Sequence, residues 1–447
     1  MRSPRDTESR TSGACAALAL AALALFATPA CKAEAKPDVV VIVMDTTRAD
    51  HCGWLGYPRP TTPRLDEFAK DCAVYRHAWA PEGWTGPCHA SLFTGLSVEN
   101  HGFYTGSRRD LAPVIPTLAE VLARAGYATA CFTNNDWISP GFGLTRGFER
   151  VDALYEDESR PYPYAPATHE RAAAWAEQQH AAGKRFFLFI NDMEPHLTYN
   201  PPAADAAPFL RGSPKPEAIA WGRAYEHPHT TAYCAGAEEL TQDQIRLLVD
   251  LYDAEIAALD REVGALLDRL RKGGILDSSI VVILGDHGEM LGEHHQMSHM
   301  YTLYGPARRM PLLVRLPGKF DGGRTFDELV RVEDVMPTIL EACRVSMPEG
   351  LDGISLARDL TGRISRARHA EDSGATEKMQ KDVPGVDVTR LTMAVDAVTD
   401  GRWHYLEFGD GRRELYDVAA DPAETKNLAA DLPKEAAAMA ALLRAKR

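Results

Sequence analysis

Three short stretches of the chain are apolar without interruption and rich in β-branched or aromatic side chains: residues 39–44, 186–190 and 280–284. They lack both polar alternation and helical length. Such runs predict strands covered on both faces, as in a parallel or mixed sheet. A fourth strand is expected at 128–132. Between these runs the apolar spacing changes to three and four. Ile245, Leu248, Val249, Tyr252, Ile256, Leu259, Val263, Leu266, Leu267 and Leu270 trace one face of a helix over 241–270. Thr241 with Gln244 forms a capping box at its start, and Gly273-Gly274 stops it. A second helix is expected over 115–125. Strands alternating with helices imply an α/β fold, a central mixed β-sheet flanked by helices. Residues 201–237 are rich in Pro, Gly, His and Ala without a clear period. They read as a long surface excursion that could serve as a lid. Residues 372–389 are polar and read as another loop. Short strands are expected within 391–408 and at 414–418, which would build a smaller C-terminal α+β subdomain.

The N-terminus follows a different pattern. Arg2, Arg5 and Arg10 precede an apolar run from Ala14 to Ala27, closed by Thr28-Pro29-Ala30. This is the layout of an export signal over residues 1–31, and the run is short for a membrane span. A retained anchor helix is the alternative. Cys31 directly after Ala30 resembles the lipid-attachment cysteine of a bacterial lipoprotein, although Thr28 stands where such signals usually carry Leu. Either a periplasmic or outer-membrane-anchored lipoprotein, or simple cleavage and secretion, is expected. The chain of 447 residues has a formal net charge of -14, which argues against a nucleic-acid partner. Of its 8 cysteines, the six beyond the signal show no CxxC metal spacing, and an oxidising compartment could pair some of them.

Each of the three strongest strands ends in reactive residues. Asp45 follows the first, Asp192 and His196 the second, Asp286 and His287 the third. Ligand sites of open α/β sheets lie at the carboxyl ends of strands. Asp45, Asp286 and His287 would offer two carboxylates and an imidazole to a divalent cation. The plainer alternative is an Asp in a turn and a His in a solvated loop. In the segment from Trp84 to Gly95, Pro87 fits a first helical position, so Thr85 would lie at a helix N-terminus that favours anions. A hydroxyl there, beside a metal, could act as nucleophile. On spacing alone, an N-cap role for Thr85 is favoured.

Further segments carry a family resemblance. Asp45-Thr46-Thr47-Arg48-Ala49-Asp50, Gly56-Tyr57 and Thr61-Thr62-Pro63-Arg64-Leu65-Asp66 resemble the opening of bacterial sulfatase-like proteins. The Thr85 segment, with its tail Ala90-Ser91-Leu92-Phe93-Thr94-Gly95, resembles the sulfatase signature. Glu194-Pro195-His196 and Gly285-Asp286-His287-Gly288-Glu289 are similar to two further motifs. Pro337-Thr338, Gly350-Leu351-Asp352-Gly353, Glu414-Leu415-Tyr416-Asp417 and Asp421-Pro422 extend the likeness to the C-terminal region. The resemblance implies the sulfatase and alkaline phosphatase fold, with a catalytic domain over 36–345 and a C-terminal subdomain over 346–447. It implies one divalent cation on Asp45, Asp286 and His287, with Thr85 completing the set. Oxygen-rich ligation favours calcium, with magnesium, manganese or zinc as alternatives. His196 and His299 would touch the anion or leaving group. His89 occupies the place of an arginine near the nucleophile, and Asn135 roughly that of a lysine near the anion.

Two departures stand out. Thr46 replaces a second metal-binding Asp of many sulfatases. Thr85 replaces the cysteine that becomes formylglycine, and Cys88 lacks the signature around it, so no formylglycine is expected. A formylglycine hydrate uses one hydroxyl to take the sulfate and the other to expel it. Threonine has a single hydroxyl, which suits a phosphoryl intermediate resolved by in-line water attack. The expected function is therefore an exported, metal-dependent hydrolase of an anionic sulfate or phosphate ester. A phosphodiesterase and a phosphoethanolamine- or glycerol-phosphate-type transferase are the enzymatic alternatives, and a non-catalytic binding lipoprotein the alternative of another class. Asp192 and His196, with His299, could instead build a second zinc site. The one-metal arrangement is favoured because the flanking motifs match it.

Overall fold

The computed structural model describes residues 36–104, 110–157, 159, 162–299, 301–320, 322–369 and 373–445. The export signal and Cys31 lie outside them. The four apolar runs are strands: β1 Asp38–Met44, β3 Ala128–Thr133, β5 Phe186–Asp192 and β6 Ser279–Leu284, between β2 Ala73–Trp79 and β4 Arg150–Ala153 in chain order. A hairpin follows, β7 Met290–Leu291 with β8 Met297–Ser298. Then come β9 Arg309–Met310, β10 Leu312–Arg315 and β11 Arg324–Arg331. The large sheet runs β11-β2-β10-β6-β1-β5-β3-β4, with β9 paired to β2. β1 pairs in parallel with both β5 and β6, in a register that sets Met44 beside Asp192 and Val43 beside Leu284. The ends that sequence spacing marked as reactive are thus neighbours on one sheet edge.

Every residue of β1, β5 and β6 is buried, because helices cover both faces. One face packs on the Thr85–Thr94, Leu118–Arg124 and Val335–Ala342 helices, the other on Pro63–Ala69, Ala165–Ala181 and Gln242–Lys272. The longest helix is capped by Thr241 and Gln244 as expected, and the Leu118–Arg124 helix by Thr117 and Glu120. A second sheet, β12 Ser365–His369, β13 Val395–Thr399, β14 Trp403–Phe408 and β15 Arg413–Asp417, is antiparallel and packs on the Pro433–Arg444 helix.

Two expectations are corrected. Residues 201–237, expected as a long surface excursion, carry three helices, Ala203–Ala206, Pro216–Arg223 and His229–Ala235. Each is too short to show a period and starts at or just after a proline. Their Trp221, Tyr225, Tyr233 and Cys234 pack with Leu247, Leu248 and Leu251 of the long helix, so they form a packed layer. Likewise 372–389 contains the Ser373–Asp382 helix, whose Met379 is buried in that same layer. A single buried apolar residue, Met379, in an otherwise polar helix is a weak signal to read in advance.

Candidate active site

Five loops converge at the carboxyl edge of β1, β2, β3, β5 and β6. Asp45 follows β1 and is fully buried. Its Oδ2 accepts hydrogen bonds from Asn135 Nδ2 (2.8 Å), beyond β3, and from Asn191 Nδ2 (3.3 Å), within β5. Its Oδ1 is buried without a hydrogen-bond partner. Asp286 shows the same split. Its Oδ1 accepts from the backbone N–H groups of Thr46 (3.1 Å) and His287 (2.9 Å), while its Oδ2 is buried and unpartnered. Thr46 reaches that position with a φ of 54°, a left-handed conformation that orients its N–H toward Asp286. His287 donates from Nδ1 to the Gly288 carbonyl (2.9 Å). That bond fixes the tautomer and leaves the Nε2 lone pair facing inward. Nε2 lies 3.4 Å from Asp286 Oδ2, 4.0 Å from Asp45 Oδ1 and 3.5 Å from Thr85 Oγ1.

Donor atoms of Asp45, Asp286 and His287 all lie within 4.8 Å of one another. Three inward lone pairs from buried groups repel one another unless a cation lies between them. Burial accordingly pushes Asp286 up to about 7 and His287 down to about 3, each toward its neutral form. Two hard oxygens and an imidazole fit a divalent cation, and the orphaned carboxylate oxygens are the observation that argues for one.

Thr85 is the first residue of its helix, not its cap; Trp84 occupies the cap and offers no side-chain cap hydrogen bond. The N-cap role suggested by spacing is therefore overturned. The backbone turns one residue earlier, which frees the hydroxyl for Asn135 Nδ2 (3.4 Å) and His287 Nε2. His89, one turn on, donates from Nδ1 to the Thr85 carbonyl (2.9 Å), and this nitrogen lies 3.6 Å from Asp286 Oδ2. Burial holds the His89 imidazole neutral, down at about 4. Asn135 bridges Asp45 and Thr85, while its Oδ1 accepts from the Trp137 N–H.

The His299 ring lies 4.6 Å from the His287 ring and 4.9 Å from that of His196. His196 donates from Nδ1 to the Leu197 carbonyl (2.6 Å). Of the residues that the alternative zinc site would use, Asp192 has both oxygens held by His169 Nε2, at 2.9 and 3.1 Å. Sequence spacing missed Asn191 and the Thr46 N–H, which orient the two aspartates. Asn191 was legible only as a polar break in an apolar run.

The Sulfatase family model matches residues 37–345, well over half of the chain. The chain belongs to the sulfatase family. A second model, the C-terminal region of N-sulphoglucosamine sulphohydrolase, matches residues 292–446. This sulfatase is 23% identical to an arylsulfatase of Clostridium perfringens, over 88% of this chain and 90% of that one. It is 24% identical to human arylsulfatase K, over 94% and 84% respectively. A phosphonate monoester hydrolase of Agrobacterium radiobacter shares its fold at a TM-score of 0.71 and 20% identity, covering 91% of this chain and 95% of that one. So does a protein solved in complex with its substrate, D-glucosamine-2-N,6-O-disulfate, at 0.70 and 19%, covering 91% and 97%.

Proposed function

We propose that this sulfatase is an exported, metal-dependent ester hydrolase that uses Thr85 as its nucleophile. The observation that carries the reading is the approach of Thr85 Oγ1 to His287 Nε2 (3.5 Å), beside unpartnered oxygens of Asp45 and Asp286. Asp45, Asp286, His287 and Thr85 would hold one divalent cation, calcium being the best match to the oxygen donors. When bound, that cation supplies Lewis-acid charge and makes the adjacent hydroxyl easier to ionise.

The residues around it divide the remaining work. Asn191 and Asn135 hold Asp45, and Asn135 also orients Thr85. His89 fixes the first turn of the Thr85 helix through the Thr85 carbonyl. Thr85 Oγ1, its proton released to solvent, attacks the central sulfur or phosphorus as the ester bond breaks, and His196 or His299 gives a proton to the leaving oxygen. Water then displaces the anion from Thr85. A single hydroxyl favours phosphorus chemistry in the second step, and the fold shared with a phosphonate monoester hydrolase is in keeping with it. Sulfate esters are supported by the arylsulfatase relatives. The basic N-terminus and apolar run over residues 1–31 support export, with Cys31 as the lipid attachment point if the signal is of lipoprotein type.

The test is turnover of matched 4-nitrophenyl sulfate, phosphate monoester, phosphate diester and phosphonate monoester, with calcium, manganese or zinc, for the wild type and Thr85→Ala. The variant should lose at least about a thousandfold in kcat/KM on the preferred ester, the scale expected for a missing nucleophile. Full activity in a folded Thr85→Ala protein would refute the proposal. A preference for sulfate over every phosphorus ester would refute the argument from the single hydroxyl alone.

A further inference from the structure

Three aromatic side chains accompany residues of the site along the chain: Trp84 before Thr85, Trp137 two positions after Asn135, and Tyr301 two positions after His299. The fold brings the three together. The Trp84 ring meets the Trp137 ring edge to face at 5.7 Å and the Tyr301 ring edge to face at 6.1 Å. Trp84 therefore spans from the loop after β3 to the loop after β8, the two loops that bring Asn135 and His299 to the site.

The backbone around Thr85 fixes this arrangement. A Cβ on Gly83 would sit 2.8 Å from the His299 carbonyl oxygen and 3.4 Å from that of Thr302, so the chain before Thr85 lies against the turn bearing Tyr301. A Cβ on Gly86 would sit 2.6 Å from the Phe103 ring and 3.4 Å from Cε3 of Trp137, so the chain after Thr85 lies against Trp137. Glycine permits both close approaches. Trp137 is held in turn: its N–H donates to Asn135 Oδ1 (3.0 Å), and its ring stacks on that of Phe142 at 4.7 Å. Thr85 is 2% exposed, whereas Trp84, Trp137 and Tyr301 are only half-buried. Aromatic surface left open beside a buried polar centre is the lining of a ligand site, not of a closed core.

We propose that Trp84, Trp137 and Tyr301 form a leaving-group subsite that selects esters whose alcohol presents a flat apolar face, an aryl ring or the C–H face of a pyranose. The proposal rests on the reading of Thr85 as nucleophile and adds the class of alcohol that is released. In an in-line displacement the leaving oxygen departs on the side of the central atom opposite the attacking oxygen. With Thr85 buried at the base, the leaving group points outward, toward these rings. Flat faces pack on indole and phenol rings through dispersion and ring-edge contacts and need no charge. A glycerol or ethanolamine alcohol offers no such face, so the rim favours neither. Trp84 carries most of the selection, because it adjoins the nucleophile and touches both other rings.

The experiment has a binding arm and a turnover arm, run on the wild type, Trp84→Leu, Trp84→Phe and Trp137→Leu, with thermal melts to check folding. Benzenesulfonate and methanesulfonate share one anion and carry a single organic substituent, which must take the leaving group's place. In calorimetric titrations with the cation that supports turnover, the wild type should bind benzenesulfonate at least about tenfold more tightly. Trp84→Leu should shrink that ratio to about twofold, and Trp84→Phe, which keeps a ring, should restore most of it. Trp137→Leu should shrink it too, which keeps the test open if Trp84→Leu does not fold. In turnover, kcat/KM is compared between phenyl and fluoroalkyl esters of matched leaving-group acidity, and between glucose 6-esters and glycerol esters, all of the preferred anion. Trp84→Leu should lose at least about fivefold more on the flat member of one pair. A selective loss on the phenyl ester assigns an aryl alcohol, and one on the glucose ester a pyranose. Equal losses within both pairs, or a wild-type sulfonate ratio near one, overturn the subsite and leave Thr85 as nucleophile untouched. Full turnover by a folded Thr85→Ala protein refutes the parent reading, and with it the assignment of these rings to the leaving group.

Discussion

The two aspartates of the site share one design. Each has one oxygen saturated by fixed N–H donors and the other left bare in a buried cleft. Leaving a buried carboxylate oxygen without a partner costs on the order of 1–3 kcal/mol or more, so the metal-free fold is under electrostatic load here. Two consequences follow at this scale. Removing metal with EDTA should lower the melting temperature of the wild type, because saturating metal at 100 times its Kd stabilises by about 2.7 kcal/mol. Asp286→Asn keeps the Oδ1 acceptor and removes one of the opposed charges. Its melting temperature should be nearly unmoved by EDTA, and without metal it should equal or exceed that of the metal-free wild type. Paired melts with and without EDTA check both, and an undiminished EDTA response in Asp286→Asn would mean the carboxylate holds no ion.

Among the elements, the Gln242–Lys272 helix does more than cover the sheet. Its Tyr252 hydroxyl donates to the Thr46 carbonyl (2.7 Å) and accepts from the Arg48 N–H (2.9 Å), bracing the turn that carries the left-handed Thr46. Tyr252→Phe removes one hydroxyl that satisfies two buried backbone groups. It should destabilise by roughly 1–3 kcal/mol in urea melts and loosen metal binding, since the Thr46 N–H orients Asp286. A destabilised variant with unchanged metal affinity would limit Tyr252 to a structural role. This helix was legible because its three-four spacing persists over many turns, and Tyr252 stood in that stripe. The strands of the other half of the sheet were not. β2 contains exposed Arg76 amid buried neighbours, and β11 carries charged Arg324, Asp327 and Glu328, so neither shows an uninterrupted apolar run. Of the site, Asp45, Asp286 and His287 could be read because they lie within three residues of the end of a buried strand. Asn191 could not, because its place beside Asp45 depends on the register of β5 against β1.

Over the whole molecule, the six cysteines of the described residues are free and buried, so the pairing that an oxidising compartment could bring is not formed. Stability rests instead on the packed layers and on buried ionisable groups that join them. Glu255, on the long helix, accepts from the Asn200 N–H (2.6 Å) in the stretch after β5 that also carries His196. Burial, with a smaller contribution from the neighbouring Glu194 charge, pushes its carboxyl group up to about 8. The native state therefore holds a proton there that the unfolded chain releases above its ordinary value of 4.5. The stabilisation is complete below about 4.5 and is lost as pH rises through about 8, because the native state binds the extra proton across that window. Glu255→Gln keeps an acceptor for Asn200 and cannot ionise. Urea melts at pH 5 and pH 8 should thus show the wild type losing on the order of 2 kcal/mol relative to the variant as pH rises. Parallel pH profiles for the two proteins would mean that Glu255 is charged in the folded state. The joint between the long helix and the His196 loop would then be held by a carboxylate throughout this range and would not change between pH 5 and pH 8.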